Sequence, residues 1–297
     1  MDQAKGLRDI AKTDILARRK TRMPSPVKQF PRVIAVTSGK GGVGKTNIVG
    51  NLAVAMSRQG MRVVIIDADV GLANIDIVFN LRPQYTLRHV ISGEKTLEEI
   101  MIQTRHGIRI IPGGSGFAGL TQLNEGQKLT LLGEFEALAD QADIILVDTG
   151  AGISSNVLYF NAASDECIVI STTEPTSITD AYAMMKVMSR EYQTRYFKLI
   201  VNMTESEKDA KRVFASLSNA LDKFLKDVVL AYLGHIPFDR HLQHAVQKRS
   251  LLLDQTPDAA AARAMETIAS VILNQEKSGR SQGNLTFFMN KVFQTAT

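Results

Sequence analysis

The sequence predicts an α/β fold, a doubly wound and mainly parallel sheet in a single domain with a short arm at each end. Three observations carry that expectation. Apolar runs of strand length alternate with helix-period segments from residue 32 onward, the pattern of strands joined by crossover helices. A glycine-rich stretch, Gly39-Lys40-Gly41-Gly42-Val43-Gly44-Lys45-Thr46, sits between the first such strand and the first helix. Aspartates close two of the apolar runs, Val63–Asp67 and Ile144–Asp148, at the carboxyl ends of strands where ligands bind in parallel sheets.

In chain order, strands are expected over 33–37, 63–67, 108–111, 144–148, 167–172, 197–202 and 229–234. Helices are expected over 45–59, 86–91, 96–103, 125–140, 177–192, 206–225 and 258–275. The first helix carries Ile48, Leu52, Ala55 and Met56 at helical spacing, which buries one face against the sheet. Ser177 or Thr176 reads as the cap of the helix that follows Thr172-Thr173-Glu174-Pro175. With neither an internal repeat nor a second core, one domain is expected over 32–275, between an arm and linker (1–22, 23–31) and a linker and final helix (276–284, 285–297).

Composition narrows the function. A 44% hydrophobic fraction in 297 residues is enough for a sizeable core, and no apolar run approaches the roughly 20 residues that span a bilayer. The single cysteine, Cys167 in the run Cys-Ile-Val-Ile, rules out a disulfide framework or a cluster held by several cysteines. It reads as a buried strand residue. The five histidines are scattered; His241 and His244 share a helix face at most. Residues 1–31 carry eight Lys/Arg against Asp2, Asp9 and Asp14, which accounts for the whole net charge of +5. A body that nets to zero argues against a protein that coats nucleic acid.

The glycine-rich stretch fits G-x-x-x-x-G-K-[ST] in its required strand–loop–helix setting. Gly39, Gly41, Gly42 and Gly44 let backbone N–H groups, Val43 included, turn inward on phosphates. The helix that opens at Lys45, Thr46 and Asn47 adds its positive dipole end. Lys45 reaches the β- and γ-phosphates, and the Thr46 hydroxyl can hold Mg²⁺. Lys40 is a second cation that such a site does not need for its own nucleotide. It makes better sense reaching the nucleotide of a neighbouring subunit, as an arginine finger does.

At K-G-G-V-G-K-T the chain resembles the deviant Walker A ATPases of the MinD/ParA group, within the SIMIBI branch of P-loop NTPases. The resemblance implies ATP as nucleotide, Mg²⁺ as metal, and a homodimer formed on ATP binding with Lys40 contacting the opposite nucleotide. It places Asp67 near the Mg²⁺ water shell and makes Asp69 the residue that positions the attacking water. Asp148 bonds to Mg²⁺ ligands, and Gly150 brings a backbone N–H close to the γ-phosphate. Asn202 reads the adenine edge, with backbone at Pro237 and Phe238 nearby; Asn202-Met203-Thr204-Glu205 lacks the N-K-x-D pattern of guanine-selective loops.

The two arms narrow the resemblance. The opening D-Q-A-x-x-L-R resembles the start of the flagellar-number ATPases of the FlhG family. There it implies a GTPase partner of FlhF type, with Gln3 inserted beside the partner's nucleotide and Leu7 and Arg8 anchoring the segment. At the other end Leu285, Phe288, Met289, Val292 and Phe293 share one helical face. That suits an interfacial helix on an anionic membrane surface, with two copies in a dimer supplying affinity that one lacks; docking onto its own domain is the alternative. Family analogy adds flagellar C-ring or transcription-regulator partners, a cytoplasmic location, and peripheral attachment to the inner face of the membrane when ATP is bound. No nucleic acid partner is expected. The competing assignments are a MinD-type cell-division regulator, which lacks the first arm, and a ParA-type DNA-partition ATPase.

Overall fold

The computed structural model of the chain describes residues 31–69, 74–114, 116 and 123–275. Gln3, Leu7 and Arg8, expected in a first arm, and Leu285, Phe288, Met289, Val292 and Phe293, expected in a final helix, lie outside the described residues.

In chain order the elements are β1 (Arg32–Ser38), α1 (Lys45–Arg58), β2 (Val63–Ala68), α2 (Ile75–Val78), α3 (Leu87–Ile91), α4 (Leu97–Ile100), β3 (Ile102–Gln103), β4 (Arg109–Ile111), α5 (Glu125–Ala139), β5 (Ile144–Ala151), α6 (Ser155–Ala163) and β6 (Glu166–Ser171). There follow α7 (Pro175–Tyr192), β7 (Tyr196–Thr204), α8 (Glu207–Phe224), β8 (Val229–Pro237), α9 (Arg240–Gln247), α10 (Leu252–Gln255) and α11 (Ala260–Asn274). The strands form one eight-stranded sheet in the order β3-β4-β2-β5-β1-β6-β7-β8. Every pairing is parallel except β3 with β4. The expected doubly wound, mainly parallel sheet is therefore the observed one.

Helices cover both faces, so the central strands are apolar throughout rather than alternating. Ile34 and Val36 of β1 join α1, α10 and α11 in one cluster through Ile48, Leu52, Leu252, Met265 and Ile268. On the opposite face Val33 and Ile145 meet Leu131 and Phe135 of α5 and Phe160 of α6, while Val169 and Leu199 meet Met184 and Leu217 of α7 and α8. Phe135, Phe160 and Phe197 are fully buried, each contributing about 2–3 kcal/mol by leaving water. Cys167 is a buried residue of β6, as the sequence suggests.

The structure departs from expectation in several places, among them the short helices α2, α9 and α10, which were not expected. The helix expected over 96–103 stops at Ile100. Thr96 and Glu99 make a capping box that starts it, and Met101 is already extended, so the chain turns into the antiparallel edge strand β3. The helix α6 was not expected; Val157, Leu158, Phe160 and Ala163 are buried around most of its circumference, which erases the amphipathic period. Ser177 is no cap. Pro175, whose fixed φ suits the first helical position, starts α7 two residues earlier, and the buried Ser177 hydroxyl accepts the Thr172 N–H at 3.0 Å. β2 runs one residue past its expected end, to Ala68, and Asp69 follows directly.

At the amino ends of the strands a buried ionic strap ties the fold together. Glu166 accepts from the Arg32 guanidinium at 2.6 Å and from the Lys198 ammonium at 2.7 Å. Arg32 also donates to the Ile272 carbonyl at 2.9 Å, and Lys198 to Gln275 at 2.5 Å. The first strand and the last helix are thereby fastened to β6 and β7 at one point.

Candidate nucleotide site

The loop between β1 and α1 is shaped by two kinds of glycine. Gly42 and Gly44 have φ of 80° and 87°, left-handed values that L side chains resist. Gly39 is needed for a different reason: a Cβ there would stand 2.2 Å from the Asp180 carbonyl carbon of α7. The loop therefore rests directly on the backbone of α7. Gly41 has open space around it. Val43 is buried, and its carbonyl accepts the Asn202 side-chain amide at 2.8 Å.

The two loop lysines have opposite surroundings. Lys45 is 7% exposed, and its ammonium lies 2.6 Å from the Asp148 carboxylate at the end of β5. The Thr46 side chain helps to favour the charged form of the same carboxylate. Lys40 sits at the rim, 38% exposed, with its ammonium 2.6 Å from Glu174 and 3.0 Å from the Thr176 hydroxyl at the start of α7. Glu174 and Thr176 have no counterpart among the sequence-derived candidates. The signal available was a strand ending in a Glu-Pro-Thr turn, which reads equally well as simple capping.

Sheet register brings the carboxylates together. Asp67 and Asp148 are direct neighbours across β2 and β5, both buried. Burial, reinforced by the facing Asp148, pushes the Asp67 carboxyl up to about 7. Burial also raises Asp148, while Lys45 and Thr46 pull it back down. The Asp69 N–H donates to Asp67 at 3.3 Å. A Cβ on Gly150 would fall 3.5 Å from the Asp69 carboxylate, so Asp69 stands over Gly150. The turn after it is closed by the Gly152 N–H on the Ser38 carbonyl at 2.8 Å.

Asn202 lies at the other side of the loop, at 1% exposure. Its amide donor is spent on Val43, and its carbonyl oxygen has no partner among the described residues. A buried acceptor left unmatched is costly, by about 1–3 kcal/mol, and invites a ligand N–H. Met203 beside it takes a left-handed φ of 56°. Pro237 ends β8 and Phe238 follows, 52% exposed, its N–H on the Thr204 carbonyl at 2.9 Å. Loop, carboxylates and Asn202 thus gather at the carboxyl ends of β1, β2, β5 and β7. A cradle that a Cβ would fill, together with an unmatched buried acceptor, fits a nucleoside phosphate. Among the described residues no group of three or more His, Cys, Asp or Glu could hold a metal ion; Thr46, Asp67 and Asp148 supply only part of a shell.

An AAA domain family matches residues 31–201. The antiactivator FleN of Pseudomonas aeruginosa is 39% identical over 263 residues, covering 89% of this chain and 94% of that one. The flagellum site-determining protein YlxH of Helicobacter pylori is 34% identical over 248 residues, 84% of each chain. Among solved structures, the MinC:MinD cell division protein complex of Aquifex aeolicus superposes with a TM-score of 0.65 at 24% identity, over 82% of this chain and 97% of that one. MinD of Pyrococcus horikoshii complexed with Mg-ADP gives 0.64 at 22%, over 85% and 100%. Fold and phosphate loop together define a P-loop ATPase of the MinD/ParA type. The flagellar relatives narrow that class across most of the length. The chain belongs to the FleN/YlxH family, the FlhG-type ATPases.

Proposed function

We propose that this chain is an ATP-driven switch that governs the number or placement of flagella, monomeric without ATP and dimeric with it. One observation carries the reading. The loop's two lysines are divided, Lys45 turned into its own cradle against Asp148 and Lys40 held half-exposed at the rim. A cation at the rim is placed to reach a triphosphate presented by a second copy.

In this reading the backbone N–H groups from Gly39 to Gly44, with Lys45, Thr46 and Asn47, hold the phosphates. The unmatched oxygen of Asn202 accepts the adenine amino group, where guanine would present a carbonyl; Pro237 and Phe238 border the base. Mg²⁺, when bound, would neutralise phosphate charge, held by Thr46 directly and by Asp67 and Asp148 through water. Asp69 orients the water that attacks the terminal phosphate, beside Gly150, whose N–H faces the same group. Hydrolysis separates the pair.

The arms extend the switch to partners. The first arm, through Gln3, Leu7 and Arg8, would stimulate an FlhF-type GTPase. The last segment, through Leu285, Phe288, Met289, Val292 and Phe293, would hold the ATP dimer on the anionic inner face of the membrane. Flagellar C-ring components or a transcription regulator are partners of the same switch; the relative's name, antiactivator, supports the second.

Light scattering on purified protein tests the core of this reading. Asp69→Ala with ATP should remain a dimer, and Lys40→Ala should stay monomeric while still binding nucleotide. A monomeric Asp69→Ala, or a Lys40→Ala that dimerises normally, would count against it. Deleting residues 1–22 should abolish GTPase stimulation without altering the intrinsic ATPase, and deleting 284–297 should abolish liposome co-sedimentation.

A further inference from the structure

The helix α9 is unlike the other surface helices of this chain. Ala245 is its one buried residue, with Leu242 half-buried against the core. Outward it shows Arg240, His241, His244, Val246 and Gln247, followed by Lys248 and Arg249. The stretch 240–253 contains no acidic residue. Elsewhere the chain pairs its helix charges at i,i+3 or i,i+4, as in Lys95–Glu99, Lys128–Glu125, Lys211–Glu207 and Arg212–Asp209. On α9 the only ion pair among the described residues is His241 with Asp239, at 2.9 Å. Arg240, Lys248 and Arg249 are left unpaired together.

The end of α9 fixes where Arg249 sits. The Ser250 N–H bonds to the Ala245 carbonyl and the Arg249 N–H to the Val246 carbonyl, each at 3.0 Å. That is a Schellman closure, which puts Arg249 at the left-handed position where glycine is usual. Its φ is 51°, so an arginine is retained where the backbone favours glycine. Gln193 takes the same left-handed position at the exposed end of α7, with a φ of 58°.

The patch has apolar elements as well. Phe238, just before the helix, is 52% exposed and Val246, within it, 43%. The helix is short, about 12 Å for eight residues. Three phosphate contacts of this kind would hold nucleic acid only weakly at physiological salt. A membrane-bound helix turns its broad apolar face outward, whereas α9 turns Leu242 and Ala245 inward. Unpaired arginines and exposed apolar side chains on one short segment match the make-up of a protein interface.

We propose that α9 and the turn that follows it, from Arg240 to Arg249, form a docking surface for an acidic segment of a protein partner. The surface is complete without nucleotide and does not depend on dimerisation. It adjoins the base rim at Pro237, so a docked partner would sit beside the nucleotide.

The test uses full-length protein without nucleotide. The probe is a short labelled peptide of Glu residues spaced by Leu and Phe; random duplex DNA and phosphatidylglycerol–phosphatidylcholine vesicles serve as comparison ligands. Wild type should bind the peptide in a salt-sensitive manner. The variant Arg240→Ser/Lys248→Ser/Arg249→Gly should bind it about tenfold more weakly, with ATPase activity intact. Arg249→Gly alone should raise Tm, because glycine relieves the left-handed position, which keeps a binding loss distinct from misfolding. Equal peptide binding by the triple variant would overturn the proposal. So would a loss confined to DNA or to vesicles.

Discussion

Asp67→Asn should stabilise the nucleotide-free protein at neutral and alkaline pH while removing Mg²⁺-dependent hydrolysis. The Asp67 carboxyl rises from an ordinary 3.8 to about 7, through burial first and the neighbouring Asp148 second. Below roughly pH 4 the folded and unfolded chains both carry the proton, and Asp67 costs nothing. Between there and pH 7 the unfolded chain ionises alone, so stability falls as pH rises; above pH 7 the whole cost is present. The gap corresponds to about 4 kcal/mol, or a melting shift on the order of 10 °C for a domain this size. Asparagine keeps an oxygen for the Asp69 N–H that Asp67 now accepts at 3.3 Å. Urea titrations of EDTA-treated wild type and variant at pH 5 and pH 8 measure it. The variant should gain at pH 8 and show a flatter pH profile. Equal stability at pH 8, or a parallel pH dependence, would refute the reasoning.

Four further outcomes follow from the same geometry. Gly39→Ala puts a methyl 2.2 Å from the Asp180 carbonyl carbon; it should cost about 1–3 kcal/mol by overpacking and weaken nucleotide binding in calorimetry. Asn202→Ala removes the support under Val43 and the unmatched acceptor, so the preference for ATP over GTP in competition binding should fall about tenfold or more. Glu166→Ala strands Arg32 and Lys198 and should cost about 3–5 kcal/mol in chemical denaturation. Cys167, its thiol pushed up to about 12 by burial, should resist a thiol reagent at pH 8 until the protein unfolds.

Much of this architecture was legible before any coordinates. Residues 33–36 and 144–147 are continuous apolar runs, which only strands covered on both faces require, and the glycine loop names its own strand–loop–helix setting. What escaped was short or evenly apolar. The two-residue strand β3 has no period to read, and α6 buries so much of its circumference that polar residues do not alternate with apolar ones. Lys45, Thr46, Asp67 and Asp148 could be gathered into one site from motif spacing, since each ends or begins an element at the same edge of the sheet. Glu174 and Thr176 could not. Their contact with Lys40 spans 134 and 136 residues, and a loop cation gives no hint of which carboxylate it will meet. Nor does the sequence disclose that Asn202 spends its donor on Val43 and keeps a buried oxygen unmatched among the described residues.

The ionic strap at Arg32, Glu166, Lys198 and Ile272 has a mechanical corollary. It anchors the first strand and the final helix to a common foundation, at the pole of the sheet remote from the phosphate loop. Six strand residues, Val33 to Ser38, lie between Arg32 and Gly39 of that loop, seven steps that span about 23 Å. Tension applied to either described terminus would load this clamp rather than the catalytic edge. Cargo tethered at one terminus also begins its excursion next to cargo tethered at the other.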